Sequence, residues 1–154
     1  MKKRKRASAS TLFLMELIIA VMFFALAASV CIYVFVHAHV LSRDAKRLNM
    51  AVNITSDAAE IIRSQGSVSG VRTIFMRSYR NASISGPDSN CEIEVYFDDH
   101  FREIDGNHAV FTEKIHLELN DSLLNIAIVF NNADGNTIYS IELCHDLFQR
   151  GGSA

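Results

Sequence analysis

The chain has no tryptophan, one proline (Pro87) and, from Leu12 to Gln65, neither proline nor glycine. A helix begun in that stretch meets no breaker before Gly66. Cysteine is scarce. Cys31, Cys91 and Cys144 form no Cys/His pair with the spacing of a zinc site. There is no nucleophile elbow, no phosphate loop and no His/carboxylate constellation, so no metal, cofactor or catalytic site is expected. The most consequential shortage is of charge. Leu12 to Val36 spans 25 residues and holds one charged side chain, Glu16.

What is there follows from that shortage. An apolar helix of about 20 residues crosses the hydrocarbon core of a bilayer, so residues 12–36 read as a transmembrane helix and the lipid bilayer as a partner. The run exceeds the usual apolar core of a secretory signal and continues into more helix, which argues for an anchor. Ahead of it, residues 1–11 carry five Lys/Arg and no acid, a basic cytoplasmic leader or tail. Beyond it stand Arg43, Lys46 and Arg47. The positive-inside tendency therefore places the N-terminus in the cytoplasm and the C-terminal domain outside, as a single-pass protein of the inner or cell membrane. From His37 onward 10 Lys/Arg face 16 Asp/Glu. An acidic domain repels phosphate backbones, and nucleic acid is not an expected partner. Glu16 itself is costly in lipid, by about 2.5–3.5 kcal/mol at the centre of a span, and is a functional candidate by that cost. The plainer reading is an acid close enough to the interface to snorkel or take up a proton.

Past the span, Leu41, Ala45, Leu48, Val52, Thr55, Ala59 and Ile62 recur at alternating spacings of four and three, a seam on one helix face. Residues 37–65 are thus expected to continue the same helix in amphipathic form. Residues 66–90 are a connector, with a short second helix or irregular chain at 68–80 and a loop at 81–90 around Gly86-Pro87-Asp88. From Cys91 the period becomes two. Cys91, Ile93, Val95 and Phe97 alternate with polar neighbours; so do Ile115, Leu117 and Leu119, then Ile126, Ile128 and Phe130, then Tyr139, Ile141 and Leu143. Turn-like links at Asp105-Gly106-Asn107, Asn120-Asp121-Ser122 and 132–136 join them. Residues 91–148 are expected to form a four-stranded antiparallel sheet, with 149–154 a C-terminal tail. The fold class is α+β: a long N-terminal helix, half transmembrane and half amphipathic, packed on that sheet.

The stretch Thr11-Leu12-Phe13-Leu14-Met15-Glu16-Leu17-Ile18-Ile19-Ala20-Val21, preceded by a basic leader, resembles the prepilin signal of type IV pilins and of the pseudopilins of type II secretion systems. Counting Leu12 as the first mature residue makes Glu16 the fifth, the family's place for this acid. Thr11 and Leu12 then flank the leader cleavage position, where the family most often has Gly and Phe. The resemblance implies a membrane-stored subunit that assembles into a pilus or secretion filament through its N-terminal helix. It further implies self or other pilin-like subunits, a prepilin peptidase and an assembly platform as partners. Glu16 would then neutralise the new N-terminal ammonium of a neighbour within the apolar bundle. The other class that fits the residues is a permanently anchored extracytoplasmic accessory or sensor module that does not polymerise.

Cys91 and Cys144 both fall in the outer domain, where an oxidising compartment permits a disulfide; two reduced thiols are the equal alternative. Asp98, Asp99, Glu103, Asp105 and Asn107 form an acidic loop that reads either as oxygen ligands for Ca²⁺ or as a charged hairpin turn.

Overall fold

The computed structural model describes residues 9–147, so residues 1–8 of the basic leader and the tail 149–154 lie outside the described residues. The chain divides into two compact units, Met1–Ala45 and Lys46–Ala154. Helix α1 (Ala9–Ser64) accounts for the described part of the first unit and opens the second. Its length follows from the absence of any breaker, as expected. In the first unit every described side chain is exposed, the apolar ones from Leu12 to Val36 included. This helix is long and apolar enough to cross a membrane, and none of its apolar window is buried by protein.

In the second unit, the end of α1 buries Ala51, Thr55, Ala58, Ala59 and Ile62. The expected seam is therefore corrected in part. Thr55, Ala59 and Ile62 belong to it, but Leu48 is exposed and Val52 half-buried. The buried stripe instead runs through Ala51, Thr55, Ala58, Ala59 and Ile62. After Gly66, Ser67 caps α2 (Val68–Ser78) by accepting a hydrogen bond from the Gly70 amide at 3.2 Å. Val68, Val71 and Phe75, at spacings of three and four, put one face of α2 into the same core.

The sheet is antiparallel and strictly sequential, in the order β1-β2-β3-β4-β5. Its strands are β1 (Ser83–Ser85), β2 (Asn90–Phe97), β3 (Phe111–Asn120), β4 (Leu123–Asn132) and β5 (Thr137–Asp146). The four alternating runs of the sequence are β2 to β5. The fifth strand, β1, lies in what reads as loop; three residues with one apolar member give no period to detect. Gly86 makes the β1–β2 turn at φ +83°, where a Cβ would stand 2.2 Å from the Asn90 carbonyl oxygen. Arg72 of α2 pins this turn, donating to the Gly86 carbonyl at 2.8 Å and to Asp88 at 3.2 Å.

Register stacks the inward side chains in rows across the sheet. Cys91, Leu117, Ile126 and Leu143 form one row, and Ile93, Ile115, Ile128 and Ile141 the next. A third row runs Val95, Glu113, Phe130, Tyr139. The β2–β3 link is not the tight turn expected at Asp105-Gly106-Asn107. Residues 98–110 form a longer loop with one 3-10 turn at Gly106–His108. Asp98 organises its start by accepting from the His100 and Arg102 amides, and Phe101 takes a left-handed φ of 61°. That turn lays the Phe101 ring over Phe111, with centroids 4.7 Å apart, and within 6.4 Å of Phe130, closing the end of the core.

Candidate functional site

Three places in the fold carry groups that packing alone does not explain. The first is the exposed apolar helix with its acid. Thr11, Leu12 and Glu16 all lie within α1, Glu16 one turn beyond Leu12. Helical periodicity sets Glu16, Ala20, Phe23, Ala27 and Cys31 on a single stripe, an acid followed by small side chains and one aromatic. An apolar surface of this extent, none of it covered by protein, makes α1 a candidate membrane span.

The second place is inside the outer domain. Glu113 is fully buried on the inward face of β3, and neither carboxyl oxygen has a hydrogen-bond partner. Burial in this apolar layer raises its pKa to about 8, and the Asp57 carboxylate adds a smaller push in the same direction. Near neutral pH the side chain is therefore mainly an uncharged acid. Thr55, on the buried face of α1, likewise has a hydroxyl with no partner. Tyr79, just past α2, rises to about 12, first through burial and then through the fields of Glu113, Asp57 and Glu103. Sequence reading missed Glu113 by starting the strand at Ile115. Carrying the alternation back through Glu113 to Phe111 would have put the acid on the apolar face.

The third place is the solvent face of the sheet. Strand pairing aligns His116 with Ala127 and Glu142, and Glu118 with Asn125 and Cys144. These residues line a cleft of about 400 Å³ above the small side chain of Ala127. Nearby, Glu94 accepts from Lys114 and from the Tyr96 hydroxyl. Those bonds hold the Glu94 carboxyl below its ordinary range, the lysine bond contributing most, and raise Tyr96 to about 12. By contrast, Glu118 and Glu142 have no cationic partner among the described residues. No periodicity in the sequence could have brought β3 and β5 together here; only the register does.

The disulfide alternative for Cys91 and Cys144 is overturned. Cys91 points into the core from β2, whereas Cys144 is exposed on the opposite face of β5. Cys91 shares its row with Leu143, three strands away, or about 14 Å at the usual strand spacing. A disulfide needs Cα atoms within about 7 Å. Both thiols are free, as is Cys31. In the acidic loop, Asp98, Asp99 and His100 bring one potential metal-ligand atom each within 4.8 Å of one another. Asp98 is already engaged by two backbone amides and His100 by Asp99, so this group is accounted for as turn structure. Neither a family model, nor a curated protein, nor a solved structure matches the chain.

Proposed function

We propose that this protein is a pilin-like or pseudopilin-like subunit, stored in the membrane and assembled into a filament of the type IV pilus or type II secretion kind through its N-terminal helix. One observation carries the reading: α1 runs unbroken from Ala9 to Ser64, exposes a membrane-length apolar surface with a lone acid near its start, and ends inside the core of a small sheet domain. A single element thus serves both as anchor and as the support of the folded domain. Five basic residues before the span, against Arg43, Lys46 and Arg47 after it, orient the N-terminus to the cytoplasm. Within the membrane a neighbouring helix packs along the stripe of Ala20, Phe23, Ala27 and Cys31, and Glu16 on that stripe supplies a charge to be matched there. The role of the outer domain in this reading is non-catalytic.

A second reading has its own support. Thr11 and Leu12 lie inside helical turns that begin at Ala9, whereas a peptide bond must be locally extended to enter a protease. Uncleaved, the chain is a permanent anchor for an accessory or sensor domain. Intact mass of the membrane form separates the two: loss of residues 1–11 supports the filament subunit, and retention of the full leader supports the anchor. Glu16→Gln is the complementary test. Membrane insertion is expected to be unchanged and incorporation into filaments lost; normal incorporation would refute the pairing role of this acid.

A further inference from the structure

Coverage of the sheet stops short of its last strand. In the row of Cys91, Leu117, Ile126 and Leu143 the first three are buried, and only Leu143 of β5 is half-exposed. The next row repeats the pattern, with Ile93, Ile115 and Ile128 buried and Ile141 half-exposed. Among the described residues nothing pairs with the outer edge of β5, a strand of 10 residues without Lys, Arg or Pro. An open edge templates the addition of another strand where no lysine or proline blunts it; the irregularity at Phe130/Asn131 leaves Ile138 of β5 without a partner, so the regular run of this edge is 139–146. The opposite edge is blunted by shortness, since β1 has 3 residues. On its solvent face β5 borders the acidic cleft, where Glu142 and Glu118 stand without cationic partners among the described residues.

We infer that the free edge of β5 docks an extended segment of another protein, which adds as a sixth strand with apolar and basic side chains in alternation. Its backbone satisfies the open amides and carbonyls of β5. Its apolar side chains prolong the rows of Ile141 and Leu143, while its Lys or Arg side chains lie on the other face beside Glu142, with Glu118 at the far wall of the cleft. Charge selects this occupant over a second copy of the chain. Pairing two β5 strands would bring the Glu142 carboxylates of both onto one face, and β5 itself has no lysine or arginine to set between them.

The test uses the full chain in neutral detergent micelles and two capped ten-residue peptides, one alternating Val with Lys and one alternating Val with Glu. The Lys peptide is expected to bind and to slow hydrogen exchange at alternate amides of residues 139–146 while leaving β2 and β3 unchanged. Glu142→Lys should weaken it by about tenfold or more and admit the Glu peptide, and Glu118→Lys should act in the same sense but less. Both substituted positions are exposed, and unchanged exchange in β3 reports that the fold is kept. Equal binding of the Lys peptide to wild type and Glu142→Lys would overturn the proposal, as would protection outside β5. So would a β5 edge already protected before peptide is added. If that protection grew with protein concentration, a second copy would be the occupant; if it did not, the chain's own residues would be.

Discussion

Replacing Glu113 by glutamine removes a titration from the core while keeping the shape of the side chain. In the folded protein the carboxyl is fully buried without a partner and its pKa is raised from 4.5 to about 8. In the unfolded chain it ionises near 4.5, so between these two values unfolding releases a proton. Stability is therefore fully present below pH 4.5 and falls as pH rises, by about 1.4 kcal/mol per unit, until the folded group itself ionises near pH 8. From pH 5 to pH 7 the loss is about 3 kcal/mol, a large part of the 5–15 kcal/mol typical of a whole domain. Glu113→Gln should match wild type near pH 5, because an uncharged acid and an amide leave a similar polar group unpaired. At pH 7 it should be more stable by about 3 kcal/mol, with the dependence between pH 5 and pH 8 largely gone. Glu113→Met also removes the unpaired polar atoms and should exceed Glu113→Gln by about 1–3 kcal/mol at both pH values, less any packing misfit. Urea unfolding of the full chain in micelles, followed by near-ultraviolet circular dichroism of the tyrosines, measures all three. Parallel pH profiles for wild type and Glu113→Gln would refute the reasoning.

Thr55→Val exchanges a buried, unpartnered hydroxyl for a methyl of the same shape and should stabilise the outer domain by about 1 kcal/mol in the same unfolding assay. A maleimide added to the native protein in micelles should modify Cys144 quickly and Cys91 only after unfolding, and the intact mass should carry no intrachain disulfide. Gly86→Ala should cost about 1–3 kcal/mol or more, since alanine at φ +83° is strained and its Cβ would meet the Asn90 carbonyl; thermal unfolding reads the shift.

The elements that the sequence made legible are those with a long, clean period. Alternation from Cys91 to Phe97 and from Ile126 to Phe130 announces β2 and β4, and the lack of breakers before Gly66 announces α1. Legibility failed where geometry depends on partners distant in the chain. Which face of α1 is buried depends on where the sheet and α2 meet it, and Leu48 and Val52 fall outside that face. Loop 98–110 is shaped by the left-handed turn at Phe101 and by ring packing on Phe111, neither of which has a period. Of the site residues, Glu16 stood out because an acid in an apolar run is expensive wherever it lies. Glu113 was concealed by its charge, since an acidic residue next to Lys114 reads as surface until the strand is carried one pair further back. The separation of Cys91 from Cys144 is a matter of strand order and parity, which no count of cysteines contains.

The meander has a kinetic consequence. Each strand pairs with the one immediately before it in the chain, so no strand waits for a distant partner. Loop-closure costs stay small and pairing proceeds locally. As the polypeptide emerges behind its helix, order of arrival is order of position: β2 on β1, then β3, β4 and β5. The flank left open is always that of the newest strand, and among the described residues the last to arrive, β5, has no strand beyond it.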